Sequence, residues 1–224
     1  MPKLNYKIIL HIMGLLLLCN GGFMIIATLV SWFYKDGVTV QIAGASITTM
    51  FIGVLLMFFT REHRKEMKQR EGYIIVTFGW IFMAFSGMLP YLFTESIPTI
   101  TNAFFETMSG YTTTGATILN DIEVIPEGIL LWRSLTHWIG GMGIIVLAVA
   151  ILPLLGIGGM QLFAAEAPGP SADKLKPRIT DTAKRLWFIY VGYTVAEMIL
   201  LKVAGMGMFD AANHALSTLS TGGF

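Results

Sequence analysis

Charged residues are scarce in this sequence: Asp, Glu, Lys and Arg together make up 13% of its 224 residues, against 54% that are hydrophobic. A soluble domain carries roughly a quarter charged residues, so about half of the usual polar surface is missing and the apolar remainder must face something other than water. A surplus of either sign is missing too, with 15 Lys and Arg against 14 Asp and Glu. So neutral a chain has no basic face to neutralise phosphates, which excludes nucleic-acid binding. Cysteine is reduced to Cys19 inside an apolar run, so no internal disulfide can form and no redox compartment can be read. Disordered, collagen-like and disulfide-scaffold classes fall away on the same composition. No GxxxxGK[ST] pattern occurs, so the chain carries no such phosphate loop. No convincing pair of catalytic groups lies at helical spacing within the apolar runs, which argues against an enzyme.

What is present is a series of long apolar runs: Ile8 to Phe33, Val38 to Thr60, Tyr73 to Phe93, Ile129 to Leu155 and Leu186 to Ala204. About 20 helical residues cross a hydrocarbon core roughly 30 Å thick, and lipid admits only helices or closed barrels. The first run is too long for a signal peptide, lacks a small-residue cleavage site and is followed almost at once by the second, which predicts a helical hairpin. Orientation follows from the positive residues. Lys3 and Lys7, then Arg61, Arg64, Lys65, Lys68 and Arg70, then Lys174, Lys176, Arg178, Lys184 and Arg185 fall on one side, leaving Lys35, Arg133 and Lys202 for the other. The positive-inside rule makes the rich side, and the N-terminus with it, cytoplasmic.

Between the third and fourth runs, Thr99 to Tyr111 is too short to cross, covering roughly 20 Å at helical rise. It is amphipathic, follows Pro98 and continues into Thr112-Thr113-Thr114-Gly115-Ala116-Thr117, a poor helix former. A helix that enters and leaves by the same face is re-entrant, and its irregular continuation must be shielded by protein. A shift of 108 positions lays Asn102 to Ala116 on Asp210 to Phe224, with Ala103/Ala211, Ser109/Ser217, Thr113/Thr221 and Gly115/Gly223 identical. Asn102 and Asp210 are read as the N-caps of the two short helices. The repeating unit is therefore a span, a pore helix and a Ser/Thr run ending in Gly, with a second span in the first copy.

Such a unit has the chemistry of a cation filter. An extended stretch can turn consecutive carbonyl oxygens toward an axis to replace an ion's hydration shell, with the negative end of the pore-helix dipole directed there. Neutral oxygens suit monovalent cations, whereas multivalent ions call for carboxylate clusters, and neither TTTGAT nor STGGF contains a carboxylate. Asp36, Glu95, Glu106, Asp121, Glu123, Glu127, Glu197 and Asp210 gather on the outer side, where they would concentrate cations.

These residues, together with HWIGGMGIIVLAVAILPLLGIGGMQLFAAEAPGP at 137–170 and STGGF at 220–224, resemble the Trk/Ktr/HKT potassium-uptake superfamily along the whole chain. The resemblance implies an all-α polytopic membrane protein of span-pore helix-span repeats of the potassium-channel type, preceded by an extra transmembrane helix pair. It divides the chain into that pair at 1–70, a first repeat at 71–158 with its filter at 112–116, a cytoplasmic linker at 159–181 and the start of a second repeat at 182–224 with its filter at 220–224. Four such repeats surround one path in the family, so this chain is expected to be the N-terminal portion of a longer protein.

By the same resemblance, Thr112, Thr113, Thr114 and Gly115, with Ser220, Thr221, Gly222 and Gly223, are the residues that hold the transported potassium ion. The resemblance further implies uptake across a bacterial inner membrane by a multi-pass pore-forming subunit, no organic cofactor on this chain, homodimerisation and docking of a cytosolic nucleotide-binding Trk regulatory subunit. Relatives with Ser at the first filter glycine tend to favour sodium, so Gly115 points to potassium. A sodium-selective or non-selective relative is the alternative. Whether transport is channel-like or a coupled symport is left open.

Other residues are read on their own chemistry. Glu106 either tunes ion occupancy or pairs with Arg133, and the pair is favoured because a buried charge at membrane depth needs a partner; His137 shares the face of Arg133. Glu197 shares a face with Tyr190 and Tyr193, and either lines a water-filled path or packs between helices. His11 and His214 lack companions at ligand spacing and are expected to pack in the core or on the pore helix. Gly140, Gly141 and Gly143 are expected to permit close helix packing. The stretch 156–177 is a connector that either docks a regulator or lies on anionic headgroups.

Overall fold

The computed structural model describes residues 5–61, 69–155 and 175–224, and over them helix is the one kind of regular secondary structure. The helices are α1 (Tyr6–Tyr34), α2 (Thr39–Phe59), α3 (Gln69–Gly87), α4 (Leu89–Phe93), α5 (Ile100–Tyr111), α6 (Glu127–Leu155), α7 (Leu175–Val203) and α8 (Met208–Leu219). Among the described residues, four helices are long and apolar enough to cross a membrane, at Tyr6–Tyr34, Thr39–Phe59, Glu71–Phe93 and Lys184–Val203. Helix α6 equals α1 in length at 29 residues.

The first two helices form the expected hairpin, held close by small residues. A Cβ on Gly14 would lie 2.8 Å from the Gly53 carbonyl oxygen, and one on Gly53 as near the Gly14 oxygen. Higher in the pair, the Ser46 hydroxyl donates to the Gly21 carbonyl at 2.8 Å. Lys35 ends α1 in the left-handed region at φ 56°. At the opposite end, the buried Glu71 of α3 accepts from the Asn5 backbone N–H at 2.8 Å, and His11 meets the Thr60 hydroxyl at 3.2 Å.

The third apolar run is broken. Helix α3 stops at Gly87, and Pro90 sits in the first turn of α4. Proline removes a backbone donor and crowds the carbonyl four residues earlier, so the helix cannot pass through unbroken. The Trp132 indole N–H donates to the Gly87 carbonyl at the break, at 2.9 Å. The linker expected at 159–181 lies outside the described residues up to residue 174, and α7 begins at Leu175, ahead of the apolar run.

Helix α6 is the post around which the rest is arranged, packing against α1, α5, α7 and α8. The main core joins Met24, Ile42, Tyr91, Tyr111, Ile129 and Trp132 from α1, α2, α4, α5 and α6. Its start is seated on the α1–α2 turn, where an Asp36 carboxylate oxygen accepts from the Gly128 N–H at 2.8 Å. An anion on the free N–H groups of a helix start is the favourable place for it. Asp36 also accepts from Ser31 and from the Val38 N–H, so this carboxylate serves the fold.

Candidate functional site

The two short helices end in the same way. After α5, the Thr113 N–H bonds the Gly110 carbonyl and the Thr114 N–H bonds the Ser109 carbonyl, each at 3.0 Å. After α8, Thr221 bonds Thr218 at 2.8 Å and Gly222 bonds Ser217 at 3.0 Å, the same pairs shifted by 108. This double closure is a Schellman-type ending, which demands a left-handed residue just past the helix. Thr113 (φ 52°) and Thr221 (φ 59°) occupy that place, and Gly115 (φ 75°) and Gly223 (φ 74°) return to positive φ two residues on. A β-branched residue in this region costs about 1–2 kcal/mol, so the surroundings must hold it. Alternation of this kind swings consecutive peptide units toward one side, the geometry that a row of carbonyl ligands requires.

All eight residues expected to form the filter fall in these two segments, and the segments lie side by side. A Cβ on Gly115 would stand 2.1 Å from the Gly222 carbonyl oxygen. Glycine is thus required at 115 twice over, by φ and by the approach of the neighbouring backbone. Thr112 and Thr114 are exposed and their hydroxyls bond each other at 2.7 Å, whereas Ser220 is buried and donates to the Ser217 carbonyl at 2.8 Å.

Behind each segment stands a different anchor. Glu106 on α5 is fully buried; one oxygen accepts from the Thr117 hydroxyl and from Arg133 Nε, both at 2.8 Å, and the other accepts from the Ile118 N–H at 3.0 Å. The expected ion pair with Arg133 is present, and the same carboxylate ties down the chain just after residues 112–115. In the second copy the matching residue is His214, which is exposed rather than packed.

The second segment instead leans on α6. His137 Nδ1 lies 3.0 Å from the Ser217 hydroxyl oxygen, which also accepts from the Phe224 N–H at 3.0 Å. The Phe224 ring stacks on His137 with centroids 3.7 Å apart, and the Arg133 guanidinium carbon sits 3.5 Å from the same ring centroid. Arg133 and His137, expected on one face, therefore share a partner.

The glycines of α6 set how closely it fits. A Cβ on Gly140 would be 2.3 Å from the Tyr111 carbonyl oxygen, one on Gly141 2.7 Å from the Tyr190 hydroxyl and 2.9 Å from Ser220, and one on Gly143 2.7 Å from Trp80. Close packing is what these glycines permit, and it brings α6 against the C-terminal ends of α5 and α8.

Residues 39–224 match the family of TrkH cation transport proteins. The chain belongs to that family. It is similar to the Trk system potassium uptake protein TrkH of Escherichia coli K12, with 48% identity over 99% of this chain and 46% of the relative. It is similar as well to TrkG of the same organism, at 38% identity over 98% of this chain and 46% of the relative. Its fold matches the crystal structure of the potassium transporter TrkH from Vibrio parahaemolyticus with a TM-score of 0.83 and 40% identity, over 96% of this chain and 43% of that one. The chain spans about half the length of these relatives. The match is to a transport family rather than to an enzyme family.

Several expectations change within this TrkH-family frame. Asn102 and Asp210 are not the N-caps: Thr99 and Gly207 hold those places, and both Asx residues sit on the third helical residue. There Asn102 reaches back to the Thr99 hydroxyl at 3.4 Å, and the Asp210 carboxylate folds against Gly207. Tyr190 and Tyr193 do not share surroundings with Glu197: Tyr190 is buried and donates to the Trp138 carbonyl at 3.1 Å, Tyr193 is exposed and Glu197 is half-buried. His11 packs beside Thr60, and no group of three metal-ligating side chains occurs among the described residues. The stretch 156–174 lies outside the described residues.

Sequence reasoning missed two buried polar links. Trp138 donates to the Thr194 hydroxyl at 3.0 Å, joining α6 to α7. Asn20 of α1 meets Ser86 of α3 and Tyr111 of α5. Asn20 is a carboxamide inside an apolar run, and that anomaly was the available signal for it.

Proposed function

We propose that the whole protein to which this chain belongs takes up potassium through a pore, and that Thr112, Thr113, Thr114 and Gly115 with Ser220, Thr221, Gly222 and Gly223 supply two of its filter segments. The observation that carries this reading is the matched pattern of positive φ at 113, 115, 221 and 223 in two segments that touch at Gly115 and Gly222. Backbone carbonyls there replace the hydration shell of the ion, and the C-terminal ends of α5 and α8 add their negative dipole ends. Glu95, Asp121, Glu123 and Asp210 are exposed, and on the outer side they raise the local cation concentration. Asp36 and Glu106 do not join that set, because protein donors occupy them.

The same reading divides the chain into the helix pair at 1–70, a first repeat at 71–158, a linker at 159–181 and a second repeat beginning at 182. It places the protein in the bacterial inner membrane with the N-terminus in the cytoplasm, as a homodimer that binds a cytosolic nucleotide-binding Trk regulatory subunit. The family match and the names of the relatives support a Trk-type membrane transporter, and the positive-inside count supports the orientation.

The test is growth of an uptake-deficient bacterium at micromolar potassium, rescued by the full-length protein or by its Gly115→Ser form. Rescue that weakens on substitution, with potassium-to-sodium selectivity falling, is the expected result. Unchanged selectivity would count against the filter reading, and equal uptake of sodium by the unsubstituted protein would favour a non-selective relative.

A further inference from the structure

We propose that Asn20, in the first helix of the extra pair, is a positioning residue for the first filter segment and acts through Tyr111. The proposal rests on reading 112–115 as a filter segment and extends it to a part of the chain that the repeats do not include. Asn20 is fully buried within a membrane-spanning length of apolar helix. A carboxamide there is costly unless both its ends are satisfied, and both are. Its Nδ2 donates to the Ser86 hydroxyl at 2.8 Å, and its Oδ1 accepts from the Tyr111 hydroxyl at 2.6 Å.

Tyr111 is the last residue of α5, so the chain that follows it is the filter segment itself. It is fully buried and gripped from three directions. Its ring fills the notch at Gly87, where a Cβ would stand 2.9 Å from both Cε2 and the hydroxyl oxygen. Its backbone seats on Gly140 of α6, and its hydroxyl is held by α1. A hydrogen bond at the tip of a rigid ring fixes the rotation of the residue about its own Cα, and so the direction in which Thr112 departs.

The internal repeat supplies the contrast. Leu219 occupies the matching place in the second copy and has no hydroxyl to hold. There Ser217, His137 and Phe224 do the anchoring from α6. Among the described residues, α1 thus hydrogen-bonds to the residue before the first filter segment, whereas at the second copy its Tyr34 ring meets Phe209 near the start of α8, away from the filter end.

The experiment uses the full-length protein in membranes, with Asn20→Ala, Tyr111→Phe and the double variant, reading the ratio of potassium to sodium uptake at matched protein amounts alongside melting temperature. Ser46→Ala is the control, since it removes a buried hydrogen bond of the same helix pair that does not touch Tyr111. The expected result is a fall in the ratio of about five-fold for Tyr111→Phe, the order of one net hydrogen bond. Asn20→Ala and the double variant should fall no further, because all three remove the same link. Ser46→Ala should lower the melting temperature and leave the ratio unchanged. A ratio unmoved in Tyr111→Phe and Asn20→Ala, whatever happens to their stability, would overturn the proposal, and so would an equal shift in Ser46→Ala. A ratio unmoved by Gly115→Ser, measured in parallel, would instead overturn the filter reading itself.

Discussion

Glu106 has both carboxylate oxygens engaged by protein: Arg133 and Thr117 on one, the Ile118 N–H on the other. Replacing it with Gln would leave Arg133, which is 5% exposed, as a buried cation without a counter-charge. Breaking a buried pair from one side costs about 3–5 kcal/mol, whereas replacing both partners by apolar groups of similar volume is often neutral. Glu106→Gln should therefore lower the melting temperature sharply, and Glu106→Leu combined with Arg133→Met should recover much of the loss. A double variant no more stable than the single would show that the charge pair is not what holds these helices. This pair was legible in the sequence, because two charges at membrane depth one helix apart have few other places to go. Asn20 with Tyr111 was not: residues 91 apart, neither of them charged, give no local pattern that couples them.

The same division between legible and illegible runs through the elements. Hydropathy located the long helices, because lipid leaves the backbone no other way to satisfy itself, but it missed the eleven residues by which α7, starting at Leu175, precedes its apolar run at Leu186. It could not see the break at Gly87, since both pieces of that span are equally apolar. The two short helices α5 and α8 were found by length and repeat, but their caps were misplaced. An Asx residue on the third helical residue gives the same sequence signal as one at the cap, and Thr99 and Gly207 make no side-chain cap bond that would mark them. Among the glycines, only coordinates separate those that touch from those that do not. Gly140 lies on the Tyr111 backbone, which cannot step aside, while a Cβ on Gly22 of α1 would meet nothing within 4 Å. Gly140→Ala should cost about 1–3 kcal/mol through overpacking, since α6 and α5 must part, and on the proposed filter reading should reduce uptake by the full-length protein. Gly22→Ala should raise stability by up to about 1 kcal/mol. Thermal melts of the purified protein in detergent check both, and a destabilised Gly22→Ala beside an unaffected Gly140→Ala would contradict this packing.

At the scale of the molecule, the two ends of the bundle are chemically distinct. One end carries the α1–α2 turn, with Asp36 seated on Gly128 at the start of α6. The other carries the Asn5 and Glu71 bond and the His11 and Thr60 contact, next to Arg61. Lys35 follows α1 at the first end, Arg61 follows α2 at the second, and both are exposed, as are Asp121 and Lys184. The positive-inside rule predicts a bundle with the Asp36 end outward. Cysteine chemistry tests this directly, because Cys19 is the chain's one thiol and can be removed as Cys19→Ser. On that background, Lys35→Cys and Asp121→Cys should react in intact cells with a membrane-impermeant maleimide. Arg61→Cys and Lys184→Cys should react only after the membrane is opened. The reverse pattern would invert the orientation. Labelling of Lys35→Cys and Arg61→Cys together in intact cells would mean that α2 does not cross, and the hairpin that carries Asn20 to the filter would lose its footing in the membrane.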